Sequence, residues 1–108
     1  MAHYGRYNSC VHYVYIVRCA DGSLYTGYAK DPKKRVLAHN SGRGAKYTSG
    51  RRPVILVYVE VFRSRGRALS REIEVKAWTR AKKTALVSRV TAASLARYES
   101  ASSDSAAH

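Results

Sequence analysis

The chain has 108 residues, 45% of them hydrophobic, and its 20 Lys and Arg against 7 Asp and Glu give a formal net charge of +13. This length predicts one domain with its own core, and the composition excludes a largely disordered chain. No apolar run approaches the roughly 20 residues of a membrane span, and residues 1–10 lack the apolar core of a signal peptide. Two cysteines are too few for a disulfide framework or a zinc set, so a cytoplasmic location is expected.

The excess of Lys and Arg over Asp and Glu is the most informative feature of the composition. It costs electrostatic self-repulsion in the folded state, so we expect a function that requires it. Nucleic acid or an anionic membrane would fit, and the lack of a long basic amphipathic helix with bulky apolar anchors favours nucleic acid. The alternative is a protein that is simply soluble and basic. No protein partner can be inferred.

After an N-terminal extension at residues 1–11, two strands joined by a turn are predicted over residues 12–18 and 24–29. Apolar residues at both parities of the first strand indicate that both of its faces are covered. Gly27, inside the second strand, indicates a bulge or a close approach of the backbone.

A helix is predicted to begin at Asp31 and Pro32, which suit the N-cap and the first helical position. We expect it to end near Gly42 and to bury Val36 and Leu37. The glycine-rich, basic segment that follows, residues 41–53, is predicted to be a loop.

The apolar run at residues 54–62 predicts a third strand, central in its sheet and buried on both faces. Two more helices should follow, capped by Ser64 and Thr79. The buried residues of these helices are expected to be Leu69, Ile73 and Ala77 in the first, and Leu86 and Val87 in the second. Residues 91–108 are rich in Ala and Ser and are expected to form a disordered tail, which leaves residues 12–90 as the domain. The element order predicts an α+β fold, a small three-stranded antiparallel sheet flanked by about three helices.

Five side chains could together act on a phosphodiester: Tyr15, Tyr25, Arg35, His39 and Glu72. The two tyrosines come from adjacent strands, and Arg35 and His39 share one helix face. Hydrolysis of a phosphodiester needs a group that activates water, a cation for the developing charge, and usually a carboxylate-bound metal. Each residue type is present, although each residue alone is more often structural.

The segments YVY, YTG, KKRVLAHNSG and ALSRE, in this order and spacing, resemble the GIY-YIG nuclease superfamily. The segments RCADGSLYTG and GAKYT are similar to its small single-domain bacterial branch, the UPF0213-like proteins. The resemblance spans roughly residues 12–88. It implies a metal-dependent endonuclease that hydrolyses phosphodiester bonds, with DNA favoured and RNA possible as partner.

The resemblance also implies roles for individual residues. Tyr15 would contact or activate the attacking water, Tyr25 would orient the phosphate or assist the nucleophile, and Arg35 would neutralise the phosphate in the transition state. His39 would relay protons, and Glu72 would hold Mg²⁺ or Mn²⁺. The basic loop would supply nucleic-acid contacts from Lys46, Tyr47, Arg51 and Arg52. The chain departs from the family pattern at Tyr13, which stands where a glycine is usual.

Two physical expectations accompany this interpretation. Arg35, a metal and the positive field would lower the pKa of Tyr15 and favour phenolate. The two tyrosines must also face the same side, which a two-residue turn at Asp21 and Gly22 forbids. We therefore predict a connection of three or five residues.

Two other functions remain open: a nucleic-acid-binding module of the same fold that lacks catalysis, and a basic accessory protein with structural tyrosines. No appended recognition domain is evident. Low sequence specificity is therefore expected, with single-stranded, branched or damaged DNA, and hence DNA repair, as plausible settings.

Overall fold

The computed structural model describes residues 11–89, so the predicted extension and tail lie largely outside it. Three strands and four helices follow one another along this part of the chain. Their bounds are His12–Arg18 (β1), Leu24–Ala29 (β2), Pro32–Asn40 (α1), Lys46–Ser49 (α2), Ile55–Phe62 (β3), Arg65–Lys76 (α3) and Arg80–Arg89 (α4). The predicted α+β class and three-stranded antiparallel sheet are confirmed. The one-turn helix α2 is an addition within the segment predicted as a loop.

The strand order is β2-β1-β3, which makes β1 the central strand. The prediction that residues 54–62 form the central strand, buried on both faces, is therefore wrong. Ile55 and Val61 are exposed on β3, whereas Val14, Ile16 and Val17 on β1 are fully buried. An apolar, β-branched run is compatible with an edge strand as well as a central one, so composition alone does not distinguish the two.

The register of the first two strands places the tyrosines on one side of the sheet. Tyr15 pairs with Gly27, and Val17 pairs with Tyr25. Since alternate residues share a face, Tyr15 and Tyr25 are diagonal neighbours on that face. The last pair is Arg18 with Leu24, so the connection has five residues, 19–23, as predicted.

Helix α1 begins as its sequence predicts and presents an unexpected inner face. The Asp31 carboxylate accepts a hydrogen bond from the Lys34 amide at 3.2 Å. Pro32, Val36 and His39, at helical spacing, face the sheet. Leu37 is 70% exposed, so the prediction that it is buried is wrong. One residue rotates a helix by about 100°, and His39 rather than Leu37 follows Val36 on the buried side.

Helix α3 is capped by Ser64, whose hydroxyl accepts from the Arg67 amide at 3.2 Å. The predicted apolar stripe is wrong at two of its three positions, because Ile73 is 69% exposed and Ala77 is also exposed, whereas Leu69 is half-buried. The fully buried residues of the helix are Ala68 and Val75, and Glu72 is half-buried. Ala68 is small and fully buried, which lets the helix lie close to β2 and β1.

The core has two parts on the two faces of the sheet. One part contains Tyr15, Val17 and Cys19, with Val36 packed against it. The other contains Ile16, Tyr58 and Val75, against which Trp78, Leu86 and Val87 pack. The inward direction of Leu86 and Val87 is thus confirmed. Among residues 11–89, no helix has the length and apolar character to cross a membrane.

Candidate active site

Tyr15 is fully buried, and its hydroxyl is the point at which several predicted site residues meet. Its Oη lies 2.9 Å from His39 Nε2. Its ring crosses Gly27, where an added Cβ would lie 2.5 Å from Tyr15 Cζ. Gly27 is therefore the close backbone approach that its position within a strand predicts.

The pKa of Tyr15 differs in direction from the expectation. Burial raises the pKa of the Tyr15 phenol, a hydrogen bond from Arg35 opposes the rise, and Tyr25 and Glu72 add to it. The protein's own side chains therefore do not lower this pKa, because loss of hydration outweighs the one guanidinium. Arg35, Tyr25 and Glu72 therefore all lie within electrostatic range of the Tyr15 hydroxyl.

His39 is fully buried beneath the segment between α1 and α2. Its Nδ1 lies 2.8 Å from Thr48 Oγ1 and 3.3 Å from the Ala45 amide nitrogen. Burial, aided by the positive charge of Arg35, lowers the pKa of His39 below its usual 6.5. The imidazole is consequently neutral at pH 7, and a neutral ring can accept a proton.

Tyr25 connects the three helices that surround the site. Its ring contacts His39 edge-on, with centroids 5.4 Å apart, and stacks on Tyr47 at 5.8 Å. The Lys76 ammonium lies 5.7 Å from the centroid of the same ring. Each of α1, α2 and α3 thus supplies one neighbour, which fixes the ring.

Glu72 is half-buried, with 16% of its side chain exposed, and its Oε2 lies 3.2 Å from Lys76 Nζ. This ion pair spans one helical turn and places a carboxylate and an ammonium at the edge of the tyrosine cluster. Five predicted residues are brought together here: Tyr15, Tyr25, Arg35, His39 and Glu72.

The predicted nucleic-acid-binding residues lie beside this cluster on α2 and just after it. Tyr47 is 41% exposed, and the Arg51 guanidinium lies 4.1 Å from its ring centroid. Arg51 also pairs with Asp21 at 3.0 Å. Arg52 donates to the carbonyls of Ser49 and Asn40, at 2.9 and 3.4 Å. Lys46 is exposed.

Sequence reasoning missed two residues that enclose His39. Thr48 is fully buried, and a Cβ added to Gly44 would overlap the His39 ring. Nothing local separates Thr48 from its neighbour Ser49. His39 itself is the signal that could have indicated Thr48, because a buried histidine requires hydrogen-bond partners for both ring nitrogens.

The carboxylate chemistry fits a single-ligand divalent site. Among the described residues, no group of three or more His, Cys, Asp and Glu could hold a metal. Glu72 offers one hard oxygen, which suits Mg²⁺ or Mn²⁺ bound otherwise by water and substrate phosphate, and does not suit a zinc cage. The ammonium of Lys76 would have to share that carboxylate.

The fold is thus a small antiparallel sheet flanked by helices, with two tyrosines, an arginine, a histidine and a glutamate gathered beside it. The family model of the GIY-YIG catalytic domain matches residues 11–85, and the chain belongs to this family. It is similar to the UPF0213 proteins: 61% identical over 77 residues to one from Staphylococcus saprophyticus, covering 71% of this chain and 94% of that protein.

Two further comparisons agree. A UPF0213 protein of Staphylococcus aureus is 60% identical over 76 residues, which cover 70% of this chain and 93% of that protein. The solution NMR structure of a protein from E. faecalis is 43% identical with a TM-score of 0.52, covering 73% of this chain and 84% of that one. The fold is thus shared with a solved structure of substantial sequence identity.

Proposed function

We propose that this protein is an endonuclease that hydrolyses phosphodiester bonds in nucleic acid, with DNA favoured and RNA possible. The observation that carries the proposal is the convergence on the Tyr15 hydroxyl. His39 Nε2 lies 2.9 Å from it, and the Arg35 guanidinium is close enough to oppose the rise in the pKa of the Tyr15 phenol. A proton acceptor and a cation beside one hydroxyl are what attack by water on a phosphodiester requires.

Tyr15 acts in this proposal as a proton carrier instead of a phenolate base. Its raised pKa keeps the phenol protonated at pH 7. Water gives a proton to Tyr15 Oη as Tyr15 passes its own proton to His39 Nε2, and the oxygen of that water bonds to phosphorus. The bond from phosphorus to the leaving oxygen then breaks. The net proton resides briefly on His39, and because burial and Arg35 lower the pKa of this ring, the protonated ring gives the proton up readily.

Positive side chains supply the electrostatic part. Arg35 is exposed and lies beside the Tyr15 hydroxyl, so its guanidinium can meet a phosphate on the solvent side. Lys76 lies over the Tyr25 ring and can assist it. Tyr25, whose ring is held by three neighbours, would orient the phosphate through its hydroxyl.

Glu72 is the residue proposed to hold Mg²⁺ or Mn²⁺. A bound divalent ion would stabilise negative charge on the phosphate and on the leaving oxygen. Because the described residues offer one carboxylate here, metal binding should depend strongly on Glu72 and on the substrate.

The exposed residues Lys46, Tyr47 and Arg52 are proposed to contact the nucleic acid beside the site, together with Arg51. Contacts to the phosphate backbone carry no sequence information, so low sequence specificity is expected. Single-stranded or branched DNA is the proposed substrate, and an unpaired base would stack on Tyr47 in place of the Arg51 guanidinium, which lies 4.1 Å from the ring centroid.

A second candidate is a nucleic-acid-binding module of this fold without catalysis. Two observations favour it. Tyr15 is fully buried, so water reaches its hydroxyl only if the surroundings open slightly, and Glu72 is already paired with Lys76. Binding under this alternative would be unchanged by metal.

The two candidates are separated by cleavage of labelled single-stranded, duplex and branched DNA and of RNA, with Mg²⁺, Mn²⁺ or chelator. Arg35→Gln is compared with Lys34→Gln, a matched loss of one positive charge from an exposed position on the same helix. The proposal expects metal-dependent cutting that only Arg35→Gln reduces, on the order of 10²-fold or more. No metal-dependent cutting of any substrate would leave the binding module as the function.

A further inference from the structure

Glu72 already has a positive partner within its own helix. The Lys76 ammonium lies 3.2 Å from Glu72 Oε2, one helical turn further along α3. Only 16% of the Glu72 side chain is exposed, against 47% of the Lys76 side chain. A carboxylate that is shielded from water needs a compensating charge, whereas an exposed ammonium can be solvated by water. Glu72 therefore depends on this ion pair more than Lys76 does.

The surroundings of the pair are positively charged. Burial, together with the positive charge of Lys76, lowers the pKa of Lys83 on α4, so the two ammonium groups lie close enough to repel each other. The Lys76 ammonium also lies 5.7 Å from the centroid of the Tyr25 ring, beside the proposed phosphate site. Glu74, the next carboxylate along the helix, pairs with Arg71 instead. A phosphate beside Tyr25 would thus be attracted by both lysines.

Glu72 is also the residue proposed to hold Mg²⁺ or Mn²⁺, so the ammonium and the metal compete for one carboxylate. A single carboxylate binds such an ion weakly, because the ion takes its other oxygens from water and from substrate phosphate. An ammonium at 3.2 Å weakens the binding further, since it already neutralises the carboxylate. A phosphate changes both conditions, because it supplies oxygens to the metal and a second anion to Lys76.

We propose that Lys76 is a displaceable counter-ion of Glu72, which occupies the carboxylate when no substrate is bound and transfers to the phosphate when nucleic acid binds. Lys76 would then couple metal binding to nucleic-acid binding, and would keep the metal affinity low in the absence of substrate. The inference rests on the proposed function for the role of Glu72 and extends it to a residue with no assigned role in metal binding.

Mn²⁺ titrated into the full chain without nucleic acid tests the first half of the proposal, with paramagnetic broadening of the NMR signals of α3 as the measurement. Lys76→Gln removes the charge and keeps a polar side chain, so Mn²⁺ should bind about 2- to 5-fold more tightly, the usual worth of a partly exposed ion pair. Lys76→Arg keeps the charge and offers the carboxylate a forked pair of donors, so Mn²⁺ should bind more weakly than in the wild type.

Two further variants locate the effect. Lys82→Gln removes the same charge from α4, where the Lys82 ammonium lies 4.4 Å from the Trp78 ring centroid, and it should change the affinity much less than Lys76→Gln. Adding Glu72→Gln to Lys76→Gln should abolish the tighter binding.

The second half is tested by repeating the titration with excess single-stranded DNA, in a Tyr15→Phe background that limits cleavage. DNA should raise the Mn²⁺ affinity by about 2- to 5-fold less when Lys76→Gln is also present, because the competition that DNA relieves is already absent. An equal gain with and without Lys76→Gln would show that Lys76 does not transfer to the phosphate.

Equal Mn²⁺ affinity in the wild type, Lys76→Gln and Lys82→Gln, or no Mn²⁺ binding by any of them, would overturn the proposal. If Lys76→Gln does not fold, Lys76→Arg decides, since an affinity equal to or above that of the wild type contradicts the competition. Absence of cleavage by the wild type would defeat the proposed function, and the titration without nucleic acid would still decide whether Lys76 competes with the metal.

Discussion

Tyr15 lies directly opposite Gly27 across the first pair of strands, and its ring passes over the glycine toward His39. A side chain at residue 27 would stand where the tyrosine ring now lies. The pairing register and the missing Cβ together determine where the Tyr15 hydroxyl is held. One glycine in a strand therefore controls the geometry of the whole site.

Gly27→Ala should destabilise the fold and displace Tyr15. The added Cβ would lie 2.5 Å from Tyr15 Cζ, so the ring must move. Overpacking of this kind costs about 1–3 kcal/mol, which denaturant unfolding measures. Gly50→Ala is the control, because a Cβ at Gly50 has no atom within 4 Å. Equal stability of the two variants would show that the ring over Gly27 yields without cost.

Tyr15→Phe should abolish most cleavage while the fold remains. Removing the hydroxyl leaves His39 Nε2 without its partner, a loss of about 1–3 kcal/mol in the free energy of unfolding. Loss of proton transfer should lower kcat by roughly 10² to 10⁴. Cleavage at the full rate would exclude Tyr15 from the proton path.

Tyr58→Phe is the matched control for that variant. Tyr58 is also buried, and burial together with Glu60 raises its pKa to about 12. It belongs to the part of the core on the other face of the sheet from Tyr15. The variant should therefore change stability without changing kcat.

Local signals predicted the caps, the bounds of β1 and β2, and the odd length of their connection. Asp31, Pro32 and Ser64 act within their own helices, so the sequence around them suffices. The register followed from requiring both tyrosines on one face. These features depend on neighbours in the chain or on one strand pair.

What could not be predicted depends on how the elements pack. Leu37 looks like a core residue, but the sheet accepts His39 because Tyr15 and Thr48 satisfy both ring nitrogens. Ile73 also looks like a core residue because it is large and apolar, yet it is exposed, and the smaller Ala68 of the same helix is buried. The pKa of Tyr15 depends on its complete burial, which no sequence pattern gives. Hydrophobicity alone does not identify a buried polar network.

Glu72→Gln should remove the response of cleavage to Mg²⁺ and Mn²⁺. The amide keeps the shape and loses the charge that a hard cation requires. Glu74→Gln is the matched control, since Glu74 lies on the same helix, carries the same charge and pairs with Arg71, whose side chain lies beside Tyr58 in the other part of the core. Rates measured across a metal titration should fall only for the first variant. If both variants respond to metal as the wild type does, Glu72 is not the ligand.

Stability should fall as the pH drops below 6.5. Burial and the positive charge of Arg35 hold the pKa of His39 below its unfolded value of 6.5. The contribution of neutral His39 to the free energy of unfolding is complete above pH 6.5. It is lost as the pH falls toward the pKa of His39 in the folded protein, because the His39 ring binds the proton more tightly in the unfolded chain.

Urea unfolding between pH 7.5 and 4.5 measures this loss. In His39→Gln the free energy of unfolding should depend less steeply on pH than in the wild type. Some slope should remain, since burial, with Lys30 and Arg65, lowers the pKa of His12 as well. A slope in His39→Gln equal to that of the wild type would show that the ring does not titrate as its surroundings require.

Lys46→Gln and Arg51→Gln remove the same charge and should have different effects on binding. Lys46 is exposed beside the site, so its loss should reduce the slope of log K against log salt by about 1. Arg51 is held by Asp21, by the Tyr47 carbonyl at 2.7 Å and by the Tyr47 ring. Its loss should change that slope less and lower the free energy of unfolding more.

Fluorescence anisotropy with labelled single-stranded DNA from 50 to 300 mM salt, beside thermal unfolding of each variant, tests the pair. A larger slope change for Arg51→Gln than for Lys46→Gln would mean that Arg51 leaves Asp21 to bind phosphate.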